Sequence, residues 1–124
     1  LKQNGCQHFL LISALGASPK ALVFYSRVKG LLEKDITALD YPRLSIFRPS
    51  LLIGEREENR LGENLSAALF PIISPFLRGG LRAIQPIKGE DVARSMVAVA
   101  QQTQPKDNPH FYYYDEMKAL TVTV

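Results

Sequence analysis

Residues 9–40 read FLLISALGASPKALVFYSRVKGLLEKDITALD, and this stretch contains the pattern that decides the fold. It opens with a short run, residues 9–13, that is apolar up to its final serine, which is typical of a strand buried on both faces of a parallel sheet. Apolar residues then recur every three or four positions, which predicts a helix over residues 24–39. A buried strand followed by an amphipathic helix is the repeating unit of an α/β protein.

The rest of the chain continues this alternation. After a turn-like Asp40-Tyr41-Pro42, the pattern predicts a strand over residues 44–47 and a helix over residues 63–77 that prolines interrupt. A strand over residues 82–87, a helix over 92–102, a strand over 110–114 and a helical turn around 116–120 follow. The sequence therefore predicts an α/β fold with a mostly parallel sheet, forming one domain or part of one.

Composition narrows the class of protein. The 124 residues are 46% hydrophobic and 22% charged, with a net charge of +3 from scattered basic residues. This charge is too small to indicate nucleic-acid or membrane binding, and the longest apolar stretch, residues 65–77, is too broken to span a bilayer. The single cysteine, Cys6, excludes an internal disulfide and indicates a reducing compartment, so we expect a cytoplasmic protein.

The first five residues resemble the last turn of a helix that ends at a C-cap glycine, Gly5. The helix that this glycine would cap is absent from the sequence. We therefore expect the chain to be a piece of a longer protein, although Leu1 as a natural processed terminus stays open as the alternative.

Tyr25 and Lys29 stand four residues apart at the start of the predicted helix and so share one of its faces. An ammonium near a phenol stabilises the phenolate, which suits a tyrosine acting as a general acid/base. The same spacing recurs at Tyr114 and Lys118, but context separates the pairs. Ser13, upstream of Tyr25, ends a buried strand at the edge of an open α/β sheet, where ligands bind and a hydroxyl can orient a substrate carbonyl.

Three segments together resemble a known family: residues 10–30 (LLISALGASPKALVFYSRVKG), 44–57 (LSIFRPSLLIGERE) and 89–100 (GEDVARSMVAVA). They look like the C-terminal half of an atypical short-chain dehydrogenase/reductase. The best resemblance is to small bacterial NAD(P)-binding proteins of the nucleoside-diphosphate-sugar epimerase type, related to the Tat-interacting oxidoreductase of animals. The resemblance covers essentially the whole chain.

The resemblance implies that residues 1–124 form the C-terminal portion of one Rossmann-type, doubly wound parallel sheet whose N-terminal dinucleotide-binding half is missing. It implies NAD or NADP as cofactor and a small-molecule substrate. The residues that match the family's catalytic triad are Ser13, Tyr25 and Lys29, of which Tyr25 and Lys29 also meet the cofactor. The loop that packs on the nicotinamide corresponds to Arg48, Pro49, Ser50 and Leu51. The substrate pocket would include Arg56 and Arg60.

The family's glycine-rich turn, which holds the cofactor pyrophosphate, is absent from these residues. The only glycine-rich piece, residues 78–81, follows a helix and precedes a strand, which is the wrong order for that role. NAD and NADP are therefore not distinguished. The strand at residues 9–13 also has a single predicted neighbour, residues 44–47, so we expect its other edge to pair with the missing half or with another copy of the chain.

Structural interpretations of the same residues stay open. Tyr25 and Lys29 can be a solvated helix face, Ser13 can simply end a strand, and Arg48 can fix the turn before Pro49. For Arg56 and Arg60, a solvated charged loop is favoured over a substrate clamp. No metal site is predicted, because the two histidines stand apart without further ligands. Two functions follow: an NAD(P)-dependent oxidoreductase or sugar-nucleotide-modifying enzyme, or a dinucleotide-binding regulator that kept the fold without turnover.

Overall fold

The structure, a computed structural model, describes residues 2–50, 52–53, 85–102 and 107–123. Within them, strands and helices alternate along the chain. The strands are β1 (His8–Ile12), β2 (Arg43–Phe47), β3 (Leu52–Ile53), β4 (Ile87–Lys88) and β5 (His110–Tyr112). The helices are α1 (Phe24–Ala38), α2 (Gly89–Gln101) and α3 (Tyr114–Leu120), with short 3-10 turns at Lys2–Asn4 and Thr121–Thr123.

All recorded strand pairs are parallel. In the larger sheet β2 lies between β1 and β5, with Phe9 opposite Leu44 and Ile46 opposite Phe111. The short strands β3 and β4 form a second parallel pair. Because parallel neighbours need a crossover between them, this arrangement uses the helices as connections. The predicted α/β class with a parallel sheet is confirmed, and the sheet is consistent with part of a Rossmann-like fold.

The main core lies where α2 and α3 pack over one face of the larger sheet. Its buried members are Phe47, Ile87, Val92, Val99, Tyr112 and Met117. The rings of Phe47 and Tyr112 stack with their centres 4.7 Å apart, so neighbouring strands are joined by side chains as well as by backbone. The apolar period of α2 faces this cluster, while Glu90 and Asp91 occupy its first turn, where the helix dipole favours negative charge.

Several predicted boundaries differ from the observed ones. The predicted strands at residues 9–13 and 44–47 each begin one residue earlier, and the helix predicted over 24–39 ends at Ala38. The helix predicted over 92–102 begins at Gly89, because the acidic pair belongs to its first turn and does not precede it. The strand predicted over 110–114 ends at Tyr112, since Tyr114 already begins α3.

Two further segments bear on the predictions. Among the described residues of the strand predicted over 82–87, Ile87 is in a strand and Gln85 and Pro86 are not. Residues 82–84 and the helix predicted over 63–77 lie outside the described residues. At the start of the chain, Gly5 follows a helical turn with φ of +87°, the left-handed conformation expected of a C-cap glycine.

Strand β1 is less buried than predicted. Its residues are partly exposed, and Ile12 keeps 39% of its surface accessible. In the part of the chain that the structure describes, β1 pairs only with β2, so one edge of the strand has no recorded neighbour. The expectation of burial on both faces is therefore wrong for these residues, because a strand at the edge of a sheet is covered less than a central one.

Candidate active site

The carboxyl ends of β1 and β2 are joined beyond the strands themselves. The amide of Ser13 donates to the carbonyl of Phe47 at 2.7 Å, and the amide of Leu15 donates to the carbonyl of Pro49 at 3.0 Å. The Ser13 residue is only 3% exposed, and its Oγ is buried without a hydrogen-bond partner among the described residues. Burying a hydroxyl without a hydrogen-bond partner costs free energy, so the Ser13 Oγ is in a position to bond a ligand.

Lys29 turns toward the same end of β1. Its Nζ donates to the carbonyl oxygen of Ile12, the residue before Ser13, at 3.3 Å. The same Nζ lies 5.7 Å from the centre of the Tyr25 ring. Tyr25 itself is 58% exposed, so its phenol is open to an incoming molecule. The structure thus brings Lys29 to the strand end that carries Ser13 and sets the Tyr25 ring beside the ammonium.

Gly30 explains how α1 comes so close to this strand end. A Cβ at this position would lie 2.1 Å from the carbonyl carbon of Ser18 and 2.5 Å from the nitrogen of Pro19. The helix therefore lies directly against the loop that leaves Ser13, and the amide of Ser18 donates to the carbonyl of Ser26 at 3.2 Å. Only glycine permits this approach. The sequence interpretation missed Gly30, although a glycine inside an amphipathic helix is a signal of close packing.

Arg48 makes its side-chain hydrogen bonds within the protein. Its guanidinium donates two hydrogen bonds to the Glu33 carboxylate, from Nε to Oε1 at 2.9 Å and from Nη2 to Oε2 at 2.6 Å, and a third from Nη1 to the Tyr113 hydroxyl at 2.8 Å. The hydrogen bonds that Arg48 donates to the Glu33 carboxylate raise the pKa of Arg48. The guanidinium carbon also lies 4.2 Å from the centre of the Phe111 ring. Most of the donor capacity of Arg48 is thus used within the protein.

The remaining predicted loop residues are only partly described. Pro49 is buried and accepts the Leu15 amide, and the Ser50 hydroxyl donates to the carbonyl of Gln85 at 2.9 Å. Leu51, Arg56 and Arg60 lie outside the described residues. The loop after β2 is therefore bonded to the loop after β1 at one point and to the segment before β4 at another.

The second pair with the same spacing has a different environment. Tyr114 begins the short helix α3, and the Nζ of Lys118 donates to the Asp91 carboxylate at 2.9 Å. That ion pair links α3 to the first turn of α2. The Lys118 ammonium is therefore neutralised by a carboxylate, whereas Lys29 contacts a neutral carbonyl.

A polar cluster lies toward the opposite end of the larger sheet. His8 and Ser45 share a hydrogen bond of 2.7 Å between Nε2 and Oγ, and burial together with the nearby Arg43 lowers the pKa of His8. On β5, the ring of His110 bonds to the Glu116 carboxylate at 2.8 Å. Over the described ranges, no three histidine, cysteine or acidic side chains gather as a metal site, and no helix has the length and apolarity to cross a bilayer.

Comparison with known proteins identifies relatives in fungi and animals. The chain is 39% identical to the mitochondrial protein FMP52-1 of Scheffersomyces stipitis over 97% of its own length and 53% of the relative's. It is 34% identical to the mitochondrial protein FMP52 of Saccharomyces cerevisiae, covering 89% of this chain and 48% of that protein. HTATIP2 of Rattus norvegicus is 42% identical over 56% of this chain and 28% of its own. No family model matches.

These relatives correct one prediction. The single cysteine led to an expectation of a cytoplasmic protein, but the FMP52 relatives are mitochondrial proteins by name, so that expectation is wrong. The mitochondrial matrix is reducing, like the cytosol, and so a low cysteine content does not distinguish the two compartments.

The chain is 34% to 39% identical to these FMP52 relatives and spans about half of their length. The chain is therefore a homologue of the FMP52 and HTATIP2 proteins, which belong to the atypical short-chain dehydrogenase/reductase group.

Proposed function

We propose that this chain carries the proton-transfer residues of an NAD(P)-dependent oxidoreductase or sugar-nucleotide-modifying enzyme of the atypical short-chain type. The observation that carries the proposal is the junction of β1 and α1. There, a buried serine hydroxyl without a recorded partner lies next to the carbonyl that holds the Lys29 ammonium. Structural serines at strand ends normally find a partner within the protein, so the position of Ser13 supports a ligand-binding role.

In the proposed reaction, the Ser13 hydroxyl donates a hydrogen bond to the oxygen of a substrate carbonyl. Tyr25, with its exposed phenol, gives a proton to that oxygen during reduction and takes it back during oxidation. Lys29 keeps a positive charge beside the ring and favours the deprotonated tyrosine in the transition state. A bound nicotinamide dinucleotide supplies or accepts the hydride.

The residues at this end of the sheet fit such a cofactor in part. An ammonium has three donors, and the recorded bond from Lys29 to Ile12 uses one, so two remain for the hydroxyls of a ribose. The Arg48 side chain fits less well, because three of its N–H groups already bond to Glu33 and Tyr113. In this proposal the cofactor contact belongs to Lys29, and the loop contributes through Pro49 and Ser50.

Binding and turnover measurements on the full-length protein test the proposal. NADH and NADPH are titrated by fluorescence, and hydride transfer is then followed by absorbance across a panel of carbonyl compounds and sugar nucleotides. We expect binding of one dinucleotide and turnover of at least one substrate. Dinucleotide binding without turnover on any of them would favour the non-catalytic regulator, and the absence of binding would contradict both functions.

We also propose that the protein acts in mitochondria, on the basis of the names of its FMP52 relatives. Fractionation of cells of the source organism, with antibody detection in matrix, membrane and cytosolic fractions, tests this location. Exclusive recovery in the cytosol would contradict it.

A further inference from the structure

Glu33 belongs to the same helix face as the proposed catalytic pair. Tyr25, Lys29 and Glu33 follow one another at intervals of four in α1, so their side chains lie in a row. Glu33 is only 6% exposed although α1 leaves much of its surface open to solvent. Burial of a carboxylate costs free energy unless a partner compensates for the lost hydration, so a buried Glu33 on a largely exposed helix implies such a partner.

The partner is Arg48, and the geometry is that of a two-point clamp. Both carboxylate oxygens of Glu33 accept hydrogen bonds from the guanidinium, at 2.9 and 2.6 Å. Two parallel bonds between planar groups fix their relative orientation as well as their distance. The pair therefore restricts both the rotation of α1 about its axis and its position along the sheet.

Arg48 is itself held against β5. Its amide donates to the carbonyl of Tyr112 at 2.9 Å, and its guanidinium bonds to the Tyr113 hydroxyl and lies over the Phe111 ring. The contact is therefore between α1 and the end of the central strand, with β5 as its support. A solvent-exposed ion pair on a helix surface has no such fixed framework.

We propose that Glu33 is a positioning residue, whose ion pair with Arg48 holds α1 in the rotation that turns Lys29 and Tyr25 toward the end of β1. This inference rests on the proposed function. It assigns the Arg48 side chain to holding the helix, in place of the cofactor contact expected from the sequence. Lys29 lies one turn before Glu33, so a rotation of α1 that separates Glu33 from Arg48 also moves the ammonium away from the Ile12 carbonyl.

The test compares three variants with the wild type, all made in the full-length protein. Glu33→Gln keeps the side-chain shape and removes the charge. Glu33→Met/Arg48→Met replaces the ion pair by apolar groups of similar length, and such a replacement of a buried ion pair often leaves the stability of a protein unchanged. Glu90→Gln is the matched control, because Glu90 forms an exposed pair with Arg94 on α2. Melting temperature, dinucleotide Kd, kcat and KM are measured for each.

We expect Glu33→Gln to lower kcat by about 10- to 100-fold, the effect of misplacing a catalytic group by about 1 Å. The double variant should recover the melting temperature while kcat stays low, and Glu90→Gln should resemble the wild type. Recovery of both quantities in the double variant, or a wild-type kcat in folded Glu33→Gln, would overturn the proposal. If the double variant does not fold, Arg48→Lys replaces it, since lysine keeps the charge and loses the two-point geometry.

A second measurement is independent of turnover. Acetylation of Lys29 by acetic anhydride, followed by peptide mass spectrometry, is compared with that of the exposed Lys34 on the same helix. Loss of the Glu33 clamp should raise the labelling rate of Lys29 relative to Lys34. If the wild type turns over no substrate, the proposed function fails while this ratio still tests the positioning, and an unchanged ratio would refute it.

Discussion

Helices α1 and α3 each carry a tyrosine and a lysine four residues apart, yet the two pairs have different surroundings. Lys29 contacts the carbonyl of Ile12 at the end of a strand, and an exposed phenol lies beside it. Lys118 forms an ion pair with Asp91 on a neighbouring helix. The difference teaches that the spacing sets only the distance within a pair. The strand end beside α1 is what makes the first pair a candidate for proton transfer.

The residue after each lysine sharpens the contrast. Gly30 follows Lys29 and lets α1 lie against the backbone of Ser18 and Pro19. Ala119 follows Lys118 and is exposed. The first helix is therefore fitted to the loop leaving Ser13, whereas α3 presents the corresponding position to solvent.

The largest expected effect is the loss of turnover when the Tyr25 hydroxyl is removed. Tyr25→Phe removes only a hydroxyl, so it should leave the fold intact and lower kcat by about 10²-fold or more, the scale of a lost general acid/base. Tyr114→Phe is the matched control and should change kcat little. Steady-state kinetics with a confirmed substrate measures kcat for both variants. Equal losses of kcat in the two variants would show that the two pairs do not differ in function.

The next effect concerns Gly30. Alanine usually stabilises a helix relative to glycine by up to about 1 kcal/mol. Here the new methyl group would lie 2.1 Å from backbone, so overpacking outweighs that gain, and Gly30→Ala should lower the free energy of unfolding by about 1–3 kcal/mol.

Gly89→Ala provides the control for this change, because a Cβ at Gly89 meets no atom within 4 Å. We expect it to be neutral or slightly stabilising in the same urea denaturation experiment. If Gly30→Ala proves as stable as Gly89→Ala, the close approach of α1 to the loop after Ser13 is not needed for folding.

A smaller effect is expected at Lys118. Lys118→Ala removes a partly exposed ion pair with Asp91 and should cost roughly 0.2–1 kcal/mol in the free energy of unfolding, with kcat unchanged. Lys29→Ala should weaken dinucleotide binding and lower kcat. A loss of turnover in Lys118→Ala as large as in Lys29→Ala, at unchanged stability, would mean that the wrong pair has been assigned.

The smallest effect lies outside both pairs, at His8. Burial and Arg43 lower the pKa of His8 below its usual 6.5, so the unfolded chain binds this proton more readily than the folded one. Stability due to neutral His8 is therefore present above about pH 6.5 and is lost on acidification. His8→Gln should make the melting temperature fall less steeply between pH 7 and pH 5. An unchanged slope would show that other groups control the acid response.

Local patterns predicted the elements better than their ends or their contacts. The apolar run of β1 and the helical period of α1 are visible in the sequence because each is a pattern among neighbouring residues. The start of α3 at Tyr114 was missed, since an aromatic run carries no capping signal. The position of β2 between β1 and β5 depends on crossovers that no local window contains.

The same reasoning applies to the candidate site. Ser13, Tyr25 and Lys29 were selected by resemblance and by their relation to the strand end, and their catalytic roles stay predictions. The clamp between Glu33 and Arg48 was missed because it joins residues from different elements, and nothing near either residue in the sequence indicates the partner. Arg48 was accordingly expected to meet a cofactor, although its side chain bonds within the protein.

The backbone hydrogen bonds from Ser13 to Phe47 and from Leu15 to Pro49 extend the pairing of β1 and β2 past the ends of both strands. Amide hydrogen exchange at these two positions therefore requires separation of the strand ends and not merely the motion of a surface loop. The site and the sheet then open as one cooperative unit. A substitution that loosens the sheet edge therefore also increases the opening of the backbone at Ser13, even when the substituted residue lies far from any bound molecule.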